Sequence, residues 1–185
     1  MILSVYAYGQ PVLKKVGENI TADYPNLEKL VSDMWETLYY ANGVGLAAPQ
    51  IGKAIRLFLV DTIQLEDEEG EKNKDGIKQV FINAEIIEES GEEWSYEEGC
   101  LSIPDIRGEV IRPPTVHMKW MDQFFNEHEA TFESMNARVI QHEYDHIDGI
   151  LFTELLKPIK RKLIRRKLEN IKKGKVNADY KMKFV

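Results

Sequence analysis

The chain has a single cysteine among 185 residues. It can form no internal disulfide, which fits a reducing compartment. No apolar run approaches the roughly 20 residues that a membrane-crossing helix requires. The opening stretch, Met1 to Val12, is mildly apolar but lacks a basic segment before it and a small-residue cleavage site after it. It therefore does not read as a secretory signal, and the expected compartment is the cytoplasm. There is no internal repeat and no linker that would divide the chain. A length of 185 residues with 43% hydrophobic and 30% charged residues suits one globular domain with a sizeable core.

Positive charge is scarce in the body and concentrated at the end. From Lys157 to Val185 there are 12 basic and 2 acidic side chains, against 12 basic and 29 acidic before them. A basic tail on an acidic body points to a polyanionic partner such as RNA for the tail, or to a solvated helix face. Neither a membrane nor DNA is among the expected partners.

What is present reads as alternating helix and strand signals. Asp23 and Pro25 mark a helix start, and Leu27, Leu30, Val31, Met34 and Leu38 follow at helical spacing. Asn42-Gly43 closes that helix. Gly43 to Gly52 (GVGLAAPQIG) is too glycine-rich for regular structure, and Ile55 to Asp61 reads as a buried strand. Leu65 to Gly76 is a polar, acidic loop, expected to be exposed and mobile. Strand-like stretches follow at 79–87, 93–97, 108–112, 115–121 and 124–132. Their turn-rich spacing favours antiparallel pairing over βαβ units. A second helix spans 134–147. A third spans 153–173, with Leu156, Ile159, Leu163, Ile164, Leu168 and Ile171 on its apolar face. The expectation is an α+β domain over 1–185 that includes the basic tail from about 153.

The chemistry sits in Gln141 to His146 (QHEYDH), an H-E-x-x-H pattern on the second predicted helix. Residues four apart share a helix face, so His142 and His146 can direct two imidazoles at one metal ion. Glu143, one step round the helix, can reach a water on that metal as general base and then proton donor. Met135 and Val139 lie on the preceding turns of the same face and would wall a pocket. A hydrolytic metal usually has three protein ligands. The sequence offers Glu169, as in a zinc endopeptidase, one of His117 and His128, or Cys100. Two imidazoles with a thiolate would accept zinc, iron, cobalt or nickel.

Three segments, in order, resemble the signature motifs of bacterial-type peptide deformylases: Gly43 to Gln50 (GVGLAAPQ), Glu98 to Ser102 (EGCLS) and Gln141 to His146. The resemblance implies antiparallel sheets packed around a central metal-binding helix, flanked by an N-terminal and a C-terminal helix. It implies Cys100, His142 and His146 as ligands of one divalent metal, with Fe2+ expected and Zn2+, Ni2+ or Co2+ as substitutes. It implies Glu143 as the proton-handling residue. The Gln50 amide and the Leu101 N–H are implied as donors to the tetrahedral intermediate. Gly43, Val44 and Gly45 would lie along an extended substrate peptide, and Val44, Met135 and Val139 would line the methionine pocket. The implied reaction removes the formyl group from formyl-methionyl nascent peptides and releases formate. A ribosome contact through the basic tail follows as a further expectation. Arg138 is a charged residue beside the pocket positions, where many relatives would carry an apolar one, and is expected to point away from the pocket.

Overall fold

The computed structural model describes residues 1–66 and 70–185, so the centre of the acidic loop expected over Leu65 to Gly76 lies outside the described residues. The elements are β1 (Val5–Tyr6), α1 (Leu27–Tyr40), β2 (Gly45–Ala47), β3 (Leu57–Asp61), β4 (Lys78–Ser90) and β5 (Trp94–Cys100). They continue with β6 (Ile103–Arg112), β7 (Thr115–Met121), β8 (Glu127–Glu133), α2 (Ser134–Ile147), α3 (Pro158–Lys172) and β9 (Met182–Lys183). Strands β2-β3-β4-β7-β8 form an antiparallel sheet, β5 and β6 a separate hairpin, and β1 and β9 a short parallel pair. The α+β expectation holds.

β3 explains how the sheet carries helices on both faces. Its five residues are all buried, as befits a strand covered on both sides. Leu57 and Leu59 face one way, into a cluster with Leu30, Val31, Met34 and Leu38 of α1. Phe58 and Val60 face the other way, into a cluster with Phe81, Ala137, Ile140 and Ile147, so that α2 covers this side. Each such fully buried side chain is worth roughly 1.5–3 kcal/mol. A third cluster joins Ile103, Ile106 and Val110 of the hairpin to Phe152, Leu156, Ile164 and Ile171. α2 covers the sheet with its apolar face and meets the hairpin through polar contacts, Arg138 to the Val110 carbonyl and Asp145 to Arg112.

Several sequence expectations need correction. α1 begins at Leu27, two residues after Pro25, because Asn26 takes a left-handed conformation (φ 57°), which asparagine tolerates better than most residues. The stop at Asn42 is real: it too is left-handed, and the Gly43 N–H closes back onto the Leu38 carbonyl at 2.9 Å. Gly43 to Gly52 is not irregular throughout, for it contains β2 and a short 3-10 turn, Ala48–Ile51. The C-terminal helix is split. Phe152–Glu154 is a separate 3-10 turn and α3 starts at Pro158, since the residue before a proline disfavours helical backbone. On α3, Ile164 and Ile171 are buried, whereas Ile159 and Leu163 are 78% and 72% exposed. The β1–β9 pair was not expected, because two-residue strands leave no periodic signal.

Candidate metal centre

Helical geometry does what the spacing requires. His142 and His146 project from one face of α2 with ring centroids 5.2 Å apart and planes at 76°. Cys100 arrives from the end of β5, where a register irregularity between Gly99 and Cys100 precedes the turn into β6. Its Sγ lies 3.3 Å from His146 Nε2. One ligand atom from each of Cys100, His142 and His146 falls within 4.8 Å of the others, the sole such His, Cys or carboxylate group among the described residues. Glu169 is exposed on α3 and is not brought to this group. His117 is engaged by Thr131 and Glu129, and His128 by Asp122.

The His142 ring is held by Glu98. Its Nδ1 is 2.9 Å from Glu98 Oε2, which places the Nδ1 proton on the carboxylate side and leaves Nε2 as a lone-pair donor. Glu98, 5% exposed, also accepts from Arg112 Nε and Nη2 at 2.7 and 3.1 Å and from Arg138 Nη1 at 3.0 Å. Burial works against its ionisation, but the hydrogen bonds from His142 and Arg112 prevail and keep the carboxyl far below the usual carboxylate range. Arg112 also reaches Asp145 at 2.8 Å, and Arg56 reaches Asp148 at 2.7 Å. The first holds the last turn of α2 and the second the residue that follows it. His146 is oriented differently, because its buried Nδ1 has no hydrogen-bond partner among the described residues.

Glu143 is 4% exposed. Burial is the main cause that pushes its carboxyl up to about 7, with Glu98 adding to the rise and His142 opposing it. One of its oxygens, Oε2, has no partner among the described residues. Room for this carboxylate depends on Gly45, where a Cβ would overlap it. A thiolate and two imidazoles, with a buried acid beside them, are a donor set that fits a divalent transition metal.

Gln50 is 1% exposed, and its amide has a defined sense. Oε1 accepts from the Ala47 N–H at 2.9 Å, so Nε2 is turned towards Cys100 Sγ at 3.4 Å and Ser102 Oγ at 3.2 Å. Leu101, in the turn after Cys100, Gly43, Val44, Gly45, Met135 and Val139 all line one cavity of about 500 Å3 that also reaches His142 and Glu143. β2 pairs with β3 alone, so this edge strand offers an unpaired side.

Arg138 corrects an expectation. It is buried, lines the same cavity, and spends its guanidinium on Glu98, the Val110 carbonyl at 2.9 Å and the Trp94 carbonyl at 2.7 Å. It also lies 4.5 Å from the centre of the Trp94 ring. The partnership of Glu98 with Arg112 and Arg138 has no signature in the sequence. Glu98 stood two residues before Cys100 in a recognised motif. The two arginines carried no local signal, since their partners are 14 and 40 residues away.

Residues 2–162 match the family described as Polypeptide deformylase. The chain is 51% identical to a peptide deformylase of Christiangramia forsetii and 51% identical to one of Flavobacterium johnsoniae. Each alignment covers 100% of this chain and 96% of the relative. A solved peptide deformylase from Legionella pneumophila superposes with a TM-score of 0.79 at 37% identity, covering 94% of this chain and 97% of that one. The solved Plasmodium falciparum peptide deformylase gives 0.82 at 30% identity, covering 92% and 96%. The chain belongs to the polypeptide deformylase family and is an enzyme of that family.

Proposed function

We propose that the protein removes the formyl group from the N-terminal formyl-methionine of nascent peptides, using one divalent metal ion held by Cys100 Sγ, His142 Nε2 and His146 Nε2. The carrying observation is that these ligand atoms converge within 4.8 Å beside a buried Glu143. When bound, the metal supplies Lewis acidity, polarising the formyl oxygen and lowering the pKa of water. Fe2+ is the expected ion, and the donor set also accepts Zn2+, Ni2+ or Co2+.

The remaining work falls to side chains. Glu143 takes a proton from the attacking water and returns it to the departing amine; a carboxyl whose pKa burial raises is a stronger base for the first transfer and can carry the proton to the second. Gln50 Nε2 and the Leu101 N–H donate to the oxygen that gains charge, and donors fixed beforehand cost nothing to reorganise. The unpaired edge of β2 at Gly45, with Gly43 and Val44 just before it, takes the substrate backbone as an added strand. Val44, Met135 and Val139 enclose the methionine side chain.

The chain works as one catalytic domain over 1–185, in the cytoplasm, where its substrates are made. Its exposed basic side chains on α3, among them Lys160, Arg161, Arg165 and Lys167, dock it on ribosomal RNA. Reversing those four charges should abolish a salt-sensitive co-sedimentation with ribosomes. Binding that survives the reversal would refute the docking.

Formate release from a formyl-methionyl tripeptide, with protein purified without oxygen, tests the reaction. Rapid release by wild type and almost none by Glu143→Ala is expected. No release from folded, metal-loaded wild type would overturn the substrate assignment.

A further inference from the structure

The family model matches residues 2–162, and the end of the chain beyond it folds back onto β1. β9 lies parallel to β1, with Val5 opposite Met182 and Tyr6 opposite Lys183. The Val5 and Ala7 N–H groups donate to the Lys181 and Lys183 carbonyls at 2.8 and 2.9 Å. The Gln10 amide donates to the Phe184 carbonyl, and Val176, Met182 and Phe184 pack on the third core cluster. This segment is a fastened strap, held by backbone pairing and by apolar contact together.

The strap ends on the turn that carries Leu101. The Tyr180 hydroxyl donates to the Leu101 carbonyl at 2.7 Å. The next carbonyl, of Ser102, accepts from the Tyr8 N–H at 2.8 Å, just past β1. Two successive carbonyls of the Cys100–Ile103 turn are thus held by the two terminal segments. The Tyr180 hydroxyl stays protonated, because burial pushes its pKa up and the nearby Cys100 and Asp105 push it further. It is therefore a donor throughout the neutral range.

We propose that Tyr180 is a positioning residue for deformylation: by holding the Leu101 carbonyl, its hydroxyl keeps the turn set so that the Leu101 N–H faces the oxygen that gains charge. The inference rests on the role given to Leu101 under the proposed function. The Leu101 carbonyl and the Leu101 N–H belong to the two planar peptide groups that meet at the Leu101 Cα, so tying the carbonyl fixes that Cα within the turn and limits how far the plane carrying the N–H can turn. A hydrogen-bond donor aimed at a transition state loses much of its value when displaced by a fraction of an ångström. Leu101 lines the cavity and Tyr180 does not, so loss of the hydroxyl should appear in turnover and leave binding almost intact.

Tyr180→Phe removes one hydroxyl and leaves the ring, in the full-length, metal-loaded protein. The expected result is a kcat for the formyl-methionyl tripeptide reduced roughly three- to tenfold, with KM within about twofold of wild type. Metal content should be unchanged, and amide hydrogen exchange should quicken at Leu101 to Ile103 but not across α2. A purely structural contact would lower the melting temperature and leave kcat alone. That outcome overturns the proposal, as does a rise in KM at constant kcat or a loss of metal. Wild type run in parallel separates the two readings. If it releases no formate the proposed function fails, whereas a wild-type kcat in the variant refutes only the role of Tyr180.

Discussion

Glu98 accepts hydrogen bonds from Arg112, Arg138 and His142, so one carboxylate joins two cations to a candidate metal ligand. On the proposed ligand set, Glu98→Gln weakens the hold on the His142 ring, and metal affinity should fall about 10- to 100-fold. Competition with a chelator measures this; unchanged affinity would show that Glu98 does not orient the ring. Gln50→Ala should keep the metal and lower kcat by about 10²–10³, the usual cost of one lost donor to a developing oxyanion, with steady-state kinetics as the check. At this scale the sequence was most legible where spacing is local. His142, Glu143 and His146 could be placed on one helix because a helix turns once every 3.6 residues. Cys100 could be joined to them only by resemblance, since nothing in the chain itself says that a strand end will meet that helix. Arg138 was misjudged for the same reason. Its charge suggested a side chain turned away from the pocket, whereas Glu98 and the Trp94 and Val110 carbonyls pair both terminal nitrogens of its guanidinium in the interior.

At the scale of elements, periodicity located β7 and α2 to the residue, because each shows one consistent face and turn residues follow it, at Asp122 after β7 and at Asp148-Gly149 after α2. It failed where the pattern was short or mixed. β2 has only three residues, and α3 carries apolar residues on two stripes, of which only that of Ile164 and Ile171 meets the core. The β7–β8 hairpin offers a test of local stabilisation. Its turn is organised by Asp122, which accepts from the Phe124 and Asn126 N–H groups at 2.8 and 3.0 Å and pairs with His128 at 2.8 Å. Burial opposes ionisation, but these hydrogen bonds outweigh it and hold the carboxyl below its ordinary value. A depressed folded-state pKa stabilises fully above the unfolded value, near 3.8, and that stabilisation is lost as pH falls through the folded value. Asp122→Ala should therefore cost about 1 kcal/mol at pH 7, and the gap to wild type should narrow once pH drops below that unfolded value. Urea unfolding of both proteins across this range reads the gap; a constant gap would show that the carboxylate charge is not involved.

For the whole molecule, the candidate ligands come from parts of the core that pack separately. His142 and His146 ride on α2, whose buried face belongs to the cluster with Phe58 and Phe81. Cys100 packs with the hairpin and α3 in the cluster with Ile103, Phe152 and Ile164. A metal bound to all three would tie these two clusters together, while the β1–β9 pair ties the chain's two ends onto the second of them. Binding that requires this arrangement stabilises only the folded state. At free metal 100-fold above Kd the gain is about 2.7 kcal/mol. For a chain of this length each kcal/mol moves the melting temperature by roughly 2–4 °C, so stripping the metal should lower it by about 5–11 °C. Cys100→Ala removes the ligand from the hairpin side, and its melting temperature should then respond much less to added metal than that of wild type. Calorimetry on both proteins, with chelator and then with Zn2+ or Ni2+ restored, makes the comparison without relying on activity. Equal responses from the two would mean that the metal is held by α2 alone and that the clusters are joined by packing only.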